Sequence, residues 1–350
     1  KPSSIRRSLL CGHWCQQRLM GYWIDVQSIS VSRNDVDCLE SQAPLQGSNM
    51  DNERKALIFA LSAVLLWSTV ATAFKITLSY MTPIQMLAAA SVVSVVILTV
   101  IAAVQGKLHA LWPTFRRRPG YSCLLGMINP LIYYLVLFKA YDLLPASLAQ
   151  PLNYSWAITL TLMAALFLGQ TIRRQDWIAA ALGYFGVVVI ATKGQLLSLQ
   201  FDSPLGIGLA LLSTLLWAGF WVLNTKNPAD PVLGILLSFI LSLPVSLLLA
   251  GLTSSWQGIP WQGWLAVSYV GLFEMGITFM LWLSAMKYTQ NTSRISNLIF
   301  ISPFISLVLL ATIIGETIHI STLVGLSFIV VGLLIQQRSP KNHKKSTASA

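Results

Sequence analysis

The chain has 350 residues, of which 55% are hydrophobic and only 10% are charged. A soluble protein carries about 25% charged residues, and a surface that faces water cannot be built from so few. This composition excludes a water-soluble enzyme, a disordered chain and a disulfide scaffold. It predicts an integral membrane protein, in which each membrane-spanning helix takes about 20 residues.

Residues 1–49 differ from the rest of the chain, because they contain no apolar run of spanning length. Met50 is followed by a charged stretch and then by a long apolar run. We expect residues 1–49 to be a disordered leader outside the fold, added or read in upstream of a natural start at Met50. The alternative is a targeting leader, since residues 1–24 are basic and carry no acid.

Beyond the leader, apolar runs follow one another with short polar gaps. Proline stands near the start of several runs, where its missing N–H costs a helix nothing. The predicted fold is therefore all-α and integral to the membrane, with ten transmembrane helices whose short loops make neighbours antiparallel. The predicted spans are residues 55–76, 82–104, 121–141, 145–168, 176–192, 204–225, 231–252, 261–286, 294–314 and 318–336.

The basic residues predict the orientation of these spans, because Lys and Arg collect on the cytoplasmic side of a membrane protein. If the first span begins in the cytoplasm, only Lys75, Lys139 and Lys193 of the span and loop cations fall on the outer side. We therefore expect a multi-pass protein of the plasma (bacterial inner) membrane with both termini cytoplasmic. On this view the net charge of +11 is an orientation signal in a lipid bilayer, and we expect no nucleic-acid partner.

The two halves of the chain share short motifs. Leu65-Leu66-Trp67 recurs as Leu215-Leu216-Trp217, and Gly169-Gln170 recurs as Gly315-Glu316 after the ninth predicted span. Each half has an odd number of spans, so the second copy must be inverted, as in many secondary transporters. The chain then divides into a first repeat (50–192), an outer linker (193–203), a second repeat (204–336) and a basic cytoplasmic tail (337–350).

The sequence resembles the drug/metabolite transporter superfamily, in particular its ten-span EamA-type transporters. The resemblance covers residues 55–336 and rests on the duplicated five-span unit, the span-ending Gly-Gln and Gly-Glu motifs, and the fourth-span stretch from Ala149 to Trp156. It implies export or exchange of small metabolites through a central cavity lined by the first, third, fourth, sixth, eighth and ninth spans. The chain departs from the usual family pattern at Gln170, where a Glu is common.

Glu274 lies in the middle of the eighth predicted span. A carboxylate at the centre of a bilayer costs about 3 kcal/mol, so it faces a cavity or a partner. The repeat alignment pairs Glu274 with Asn129 in the third span, and the following Pro130 frees a backbone carbonyl one turn earlier. We expect both residues to line the substrate site and Glu274 to take up a coupling proton. The alternative is a Glu that only holds neighbouring helices together.

Lys139 is a second candidate for contact with the substrate. It lies near the outer end of the third span, about 13 Å along the helix from Asn129. A direct pair with Glu274 would therefore require a stretched side chain, but a bound zwitterion can bridge the two. The alternative is a lysine that extends its ammonium to the outer interface and pairs with Asp142.

Aromatic and amide side chains lie inside several spans. Tyr and Trp usually occupy the membrane interface, so interior ones either line a cavity or pack between helices. Asn153 and Tyr154 are adjacent and cannot share one helix face. The interior set contains Trp67, Tyr133, Tyr134, Asn153, Tyr154, Trp156, Trp217, Trp221 and Asn297. From it we take Trp67, Tyr133, Asn153, Tyr154, Trp156, Trp217 and Asn297 as candidate substrate-binding residues.

Together these patterns predict a secondary transporter, an exporter of small neutral or zwitterionic metabolites such as amino acids, that works by alternating access. One alternative is efflux of lipophilic cations, which a nearby Lys139 would disfavour. Another is a polytopic membrane enzyme or a receptor. The histidines are scattered, and no phosphate-binding loop, nucleophile motif or metal-ligand spacing occurs. We therefore expect no enzyme activity, no cofactor and no metal site.

Overall fold

A computed structural model describes residues 49–197, 201, 203–289, 295 and 297–337. The predicted leader lies outside the described residues except for Asn49, which begins the first helix. Of the predicted tail, Gln337 alone is described. Throughout the described part the regular structure is helical, and no β-strand occurs there.

The helices follow the order that hydropathy predicts. The long helices of the first half are α1 (Asn49–Leu78), α2 (Pro83–Val104), α3 (Pro119–Leu143), α4 (Ala146–Leu168) and α5 (Arg174–Ala191), with a short helix, Leu111–Arg117, in the connection between α2 and α3. Those of the second half are α6 (Pro204–Asn224), α7 (Pro231–Thr253), α8 (Trp261–Tyr288), α9 (Asn297–Ile314) and α10 (Ile320–Gln336). Within the described residues, eight helices are long and apolar enough to cross a membrane, namely α1–α4 and α6–α9.

Three of these helices begin in the same way. Each of α2, α6 and α7 has proline at its first position, preceded by Thr82, Ser203 or Asp230, whose side chain accepts a hydrogen bond from a backbone N–H of the first turn. A polar cap satisfies an N–H that has no partner inside the helix, and proline removes one such N–H. The local sequence therefore sets where each of these helices begins.

The two repeated Gly motifs have the same backbone conformation. Gly169 ends α4 with φ 68°, and Gly315 ends α9 with φ 77°. Glycine takes this left-handed conformation without the steric cost that a Cβ would bring. The repeat seen in the sequence is thus also a repeat of local structure.

α5 and α10 pack on each other at glycine contacts. A Cβ added to Gly186 would lie 2.4 Å from the carbonyl oxygen of Gly325, and a Cβ added to Gly325 would lie 2.5 Å from that of Gly186. Gly332 approaches the carbonyl oxygen of Ala179 in a similar way. These glycines allow the two backbones to touch, as small residues do at helix interfaces in membranes.

Helices of the first half pack mainly on helices of the second half. α1 lies against α8 and α9, α2 against α7, and both α3 and α4 against α6. The core is therefore formed between the two halves rather than within each of them. Any cavity at its centre is lined from both sides.

Two of the long helices are interrupted near their middles. In α3 the segment Met127–Ile132 is π-helical, and Asn129 leaves helical geometry (φ −141°, ψ 117°) just before Pro130. In α8 the segment Val270–Ile277 is π-helical. Such segments have i→i+5 hydrogen bonds and are frequent at functional sites. They occur at the two positions that the repeat alignment pairs with each other.

Candidate functional site

Glu274 lies in the π-helical segment of α8 and is partly buried. The hydroxyl of Tyr134, a buried residue of α3, donates a hydrogen bond to Glu274 Oε1 at 3.4 Å. This contact joins the first half of the chain to the second. A carboxylate placed in this way, between two interrupted helices, is available to bind a cationic group or a proton.

α2 stabilises the π-helical segment around Glu274. Ser94 Oγ donates a hydrogen bond to the carbonyl oxygen of Gly271 at 3.0 Å. A Cβ added to Gly271 would lie 2.5 Å from the carbonyl oxygen of Ala90, so only glycine allows α2 to come this close. The interruption of α8 is thus held by a neighbouring helix.

Asn129 occupies the matching interruption of α3. Its side chain is 9% exposed, and its Oδ1 has no hydrogen-bond partner among the described residues. An unpaired buried amide oxygen is costly, and it is therefore a candidate contact for a polar ligand. Asn129 and Glu274 remain candidates for the same site on opposite halves.

Five aromatic side chains form a connected group, here called the aromatic cluster: Trp67, Tyr133, Trp156, Trp217 and Phe279. Trp217 is central to it, with ring-centroid distances of 4.7 Å to Tyr133, 6.2 Å to Trp156 and 6.4 Å to Phe279. Phe279 contacts Trp67 edge-on at 5.9 Å. The cluster brings together α1, α3, α4, α6 and α8, and it provides aromatic faces that can pack against a ligand.

Asn153 and Tyr154 point to different helices. Asn153 Nδ2 donates a hydrogen bond to Ser213 Oγ of α6 at 2.9 Å, and its side chain also lies close to the hydroxyl of Tyr133. The hydroxyl of Tyr154 lies close to the side chain of Ser302 of α9. The sequence-based expectation that these adjacent residues cannot use one face agrees with this geometry. α4 is thereby tied to α3 and α6 on one side and to α9 on the other.

Asn297 begins α9. Its Oδ1 is buried and has no hydrogen-bond partner within the part of the chain that the structure describes. It stays a candidate for contact with a ligand.

Lys139 forms an ion pair with Asp142 and not with the candidate residues described above. Its Nζ lies 2.5 Å from Asp142 Oδ2, and the two side chains are 46% and 34% exposed. The structure thus gives it the partner that the alternative interpretation named. Its charge is balanced locally, near the end of α3.

Lys75 is bound to the last turn of α3. Its Nζ donates hydrogen bonds to the carbonyl oxygens of Tyr141 (2.8 Å) and Leu144 (2.9 Å). The last carbonyls of a helix lack donors within the helix and carry partial negative charge, so a cation is favourable there. We call this end of the bundle, where α1 ends, the Lys75 end.

Glu316 of the second half binds the start of α4 at the same end of the bundle. Its carboxylate accepts hydrogen bonds from the backbone N–H groups of Ala146 and Ser147, both at 2.9 Å. These N–H groups belong to the first turn of α4, which attracts negative charge. The Gly-Glu motif of α9 thereby fixes the start of a helix in the other half.

The sequence analysis did not identify three residues that contact the candidate substrate-binding residues: Ser213, Phe279 and Ser302. Serines are common inside spans, and nothing in the sequence separates these two from the rest. Phe279 follows Glu274 by five residues, which an α-helix places on another face. The i→i+5 bonding of the π-helical segment brings residues at this spacing closer together, but the sequence gives no sign of such a segment.

A bundle of membrane-spanning helices from two halves, with interrupted helices around a partly buried carboxylate, is typical of membrane transport proteins. The model of the EamA-like transporter family matches residues 54–192 and 204–336, one match for each half. The chain belongs to the EamA-like transporter family.

Curated relatives agree with this class. An uncharacterized transporter of Clostridium kluyveri is 25% identical over 82% of this chain and 94% of its own length. The uncharacterized transporter YvbV of Bacillus subtilis is 23% identical over 83% of this chain and 94% of its own length. A solved protein structure covers 81% of this chain and 97% of its own, with 23% identity and a TM-score of 0.56, which is a similarity of fold. The protein is thus a membrane transporter in a lipid bilayer.

Proposed function

We propose that the protein is a secondary transporter that exports small metabolites such as amino acids by alternating access. The observation that carries this proposal is the position of Glu274, in an interrupted helix of the second half and in contact with Tyr134 of the first half. A transporter needs a group that binds its cargo where the two halves meet. In this role the protein changes no covalent bond of its cargo and is not an enzyme.

The proposed topology has ten spans, with α5 and α10 as two shorter ones, arranged as two inverted repeats. The matching left-handed glycines and the matching π-helical segments support a structural repeat, and the distribution of Lys and Arg supports two cytoplasmic termini. In a bacterial inner membrane of this orientation, the Lys75 end is the outer end. Lys75 and Glu316 then hold the outer side closed.

In the proposed mechanism, Glu274 binds either a proton or the amino group of the cargo. The two cannot occupy one carboxylate together, so arrival of a proton releases the cargo. When the halves rock and the Lys75 end opens, a proton from outside replaces the cargo at Glu274. The returning protein carries the proton inward, and export of the cargo is coupled to proton entry.

The paired state of Lys139 favours a second candidate function, the efflux of lipophilic cations. With Lys139 balanced by Asp142, Glu274 has no neighbouring free cation on α3 to disfavour a positively charged cargo. The aromatic cluster offers ring faces, which attract cations as well as aromatic amino acids. A purely cationic cargo and a zwitterionic cargo would both bind Glu274 through their positive charge. Only the zwitterionic cargo also has a carboxylate, which needs a binding partner of its own.

The experiment that tests this proposal uses the full chain in liposomes. Labelled amino acids, nucleobases and cationic dyes are each followed with and without a pH gradient. We expect movement of amino acids that depends on the gradient, and movement of dyes if the second candidate is right. The proposal would be contradicted if the folded and correctly inserted protein transported none of these three classes of compound, with or without the pH gradient.

A further inference from the structure

Three buried side-chain oxygens between α1, α4 and α9 have no hydrogen-bond partner among the described residues: Thr72 Oγ1, Gln150 Oε1 and Ser306 Oγ. The residues are 5%, 5% and 0% exposed. A polar oxygen without a partner inside a membrane protein is energetically unfavourable. Three such oxygens on three packed helices therefore point to a ligand.

α1 and α9 run side by side in a register that places two of these oxygens opposite each other. Ser68 Oγ of α1 donates a hydrogen bond to Ser302 Oγ of α9 at 3.3 Å. Thr72 and Ser306 each follow one of these serines by four residues, which is one helical turn on the same face. The two unpartnered hydroxyls therefore lie in the next layer toward the Lys75 end.

The third oxygen reaches the same layer from α4. Tyr154 of α4 lies close to Ser302 of α9, and the Ser147 N–H at the start of α4 donates a hydrogen bond to Glu316, which follows α9, so the two helices are antiparallel. Gln150 lies between these contacts, one turn from Tyr154 on the same face. Its amide is thus level with the two hydroxyls.

The backbone of α4 adds a further oxygen. Pro151 lies inside the helix Ala146–Tyr154 and has no N–H, so the carbonyl of Ser147, four residues earlier, loses its usual donor. The Ser147 hydroxyl is also buried and without a partner among the described residues. Side-chain and backbone oxygens near Pro151 are thus grouped on one side of α4.

We propose that Thr72, Ser147, Gln150 and Ser306 form a Na⁺ site. All the oxygens are neutral, and divalent cations in proteins are usually bound by carboxylates. No cluster of three or more His, Cys, Asp or Glu occurs in the described part of the chain. Hydroxyls together with freed backbone carbonyls of interrupted helices are the ligands that hold Na⁺ in secondary transporters.

The charges around this layer are compatible with a monovalent cation. Lys75 follows Thr72 by three residues, but its ammonium is bound by the carbonyls of Tyr141 and Leu144. The carboxylate of Glu316, close enough to act electrostatically on Lys75, offsets that charge. A Na⁺ here would connect α1 and α4 of the first half with α9 of the second. A role as coupling ion rests on the proposed transport function, whereas binding of Na⁺ does not.

Thermal unfolding of the full chain in detergent tests the site without a transport assay. A ligand that binds only the folded protein raises its melting temperature, and the rise grows with the logarithm of the ligand concentration once that concentration exceeds Kd. We expect such a rise in NaCl, relative to choline chloride of equal ionic strength and to KCl. Equal melting curves in all three salts would overturn the proposal, since the oxygens would then hold water alone.

Variants assign the Na⁺ effect to this site. Thr72→Val keeps the shape of the side chain and removes its oxygen, and we expect it to weaken the apparent Na⁺ affinity about tenfold or more, the range seen when metal sites lose a supporting group. Thr72→Ser keeps the hydroxyl and should keep the effect. Ser91→Ala, which removes a buried unpartnered hydroxyl from α2, is the matched control. A Na⁺ effect retained in Thr72→Val and in Ser306→Ala would overturn the assignment.

The outcomes separate this inference from the proposed function. A Na⁺-dependent rise in melting temperature in a protein that transports none of the tested cargoes would leave the site standing and count against the transport proposal. Transport that depends on pH alone, with no effect of Na⁺ on the melting temperature, would support the transport proposal and count against the Na⁺ site. If Thr72→Val does not fold, Thr72→Ser still tests the site. It keeps the hydroxyl, so its melting temperature must still rise in Na⁺.

Discussion

Tyr134 and Glu274 meet across the boundary between the two halves, with the tyrosine hydroxyl donating to Glu274 Oε1 at 3.4 Å. Hydrogen bonds between two oxygens are usually about 2.7–2.8 Å long, so this one is long and easily exchanged. A carboxylate that binds cargo must give up its resting partner when cargo arrives. The weak contact with Tyr134 is consistent with such an exchange.

Tyr134→Phe keeps the ring, which packs against Phe138 and Tyr133, and removes the hydroxyl. We expect the protein to fold with little loss of stability and the apparent affinity for cargo to change by about two- to tenfold, the equivalent of one net hydrogen bond. Competition binding with the cargo measures the change. Tyr80→Phe, on an exposed tyrosine, is the control, and an identical small effect in both variants would contradict a role for the Tyr134 hydroxyl.

Lys139→Met tests whether Lys139 contacts the cargo. Because Lys139 pairs with Asp142, we expect the variant to retain most transport of zwitterionic cargo. Initial rates in liposomes provide the measurement, with Asp142→Asn as the matched removal of the partner charge. A loss of zwitterion transport in Lys139→Met alone would show that this lysine binds cargo after all.

Glu316→Gln removes the negative charge that binds the start of α4. We expect the Lys75 end to open more often, because hydrogen bonds to a charged acceptor are roughly twice as strong as those to a neutral one. The rate at which a membrane-impermeant maleimide labels Leu144→Cys, in a chain whose own four cysteines are changed to serine, reports this opening. Gln170→Glu is the matched control at the other repeat motif. An unchanged labelling rate in Glu316→Gln would contradict the role given to Glu316.

Gly315→Ala places a Cβ on a left-handed residue (φ 77°). We expect a loss of about 1–2 kcal/mol in the free energy of unfolding, although no atom crowds the position. Gly251→Ala, in a helix and equally uncrowded, should be neutral or stabilising by up to about 1 kcal/mol. Thermal unfolding of both variants in detergent is the measurement. Equal stabilities would mean that backbone conformation does not limit position 315.

Much of the fold could be predicted from the sequence, because membrane spans depend on the hydrophobicity of continuous segments. Capping residues such as Thr82 and Asp230 also act locally, and the structure uses both as helix caps. The scarcity of charge inside the spans isolated Glu274. These features depend on single residues or on neighbours in the chain.

The remaining features depend on contacts between distant helices. The π-helical segment around Glu274 is held by Ser94 of α2, and the capping of α4 by Glu316 joins residues about 170 apart. Phe279 joins the aromatic cluster through contacts with Trp67 of α1 and Trp217 of α6. None of these relationships has a counterpart in local sequence pattern, so the partner of Lys75 and the place of Phe279 in the aromatic cluster could not be predicted.

We propose that Glu274 couples the movement of cargo to that of protons. This coupling is tested most directly by measuring proton entry into liposomes while cargo moves in the opposite direction. We expect wild-type protein to show coupled movement, and Glu274→Gln to fold but lose the coupling. Glu53→Gln, a carboxylate of α1 that contacts Thr289, is the matched control and should keep it. A Glu274→Gln protein that transports at the full rate with unchanged pH dependence would contradict the claim.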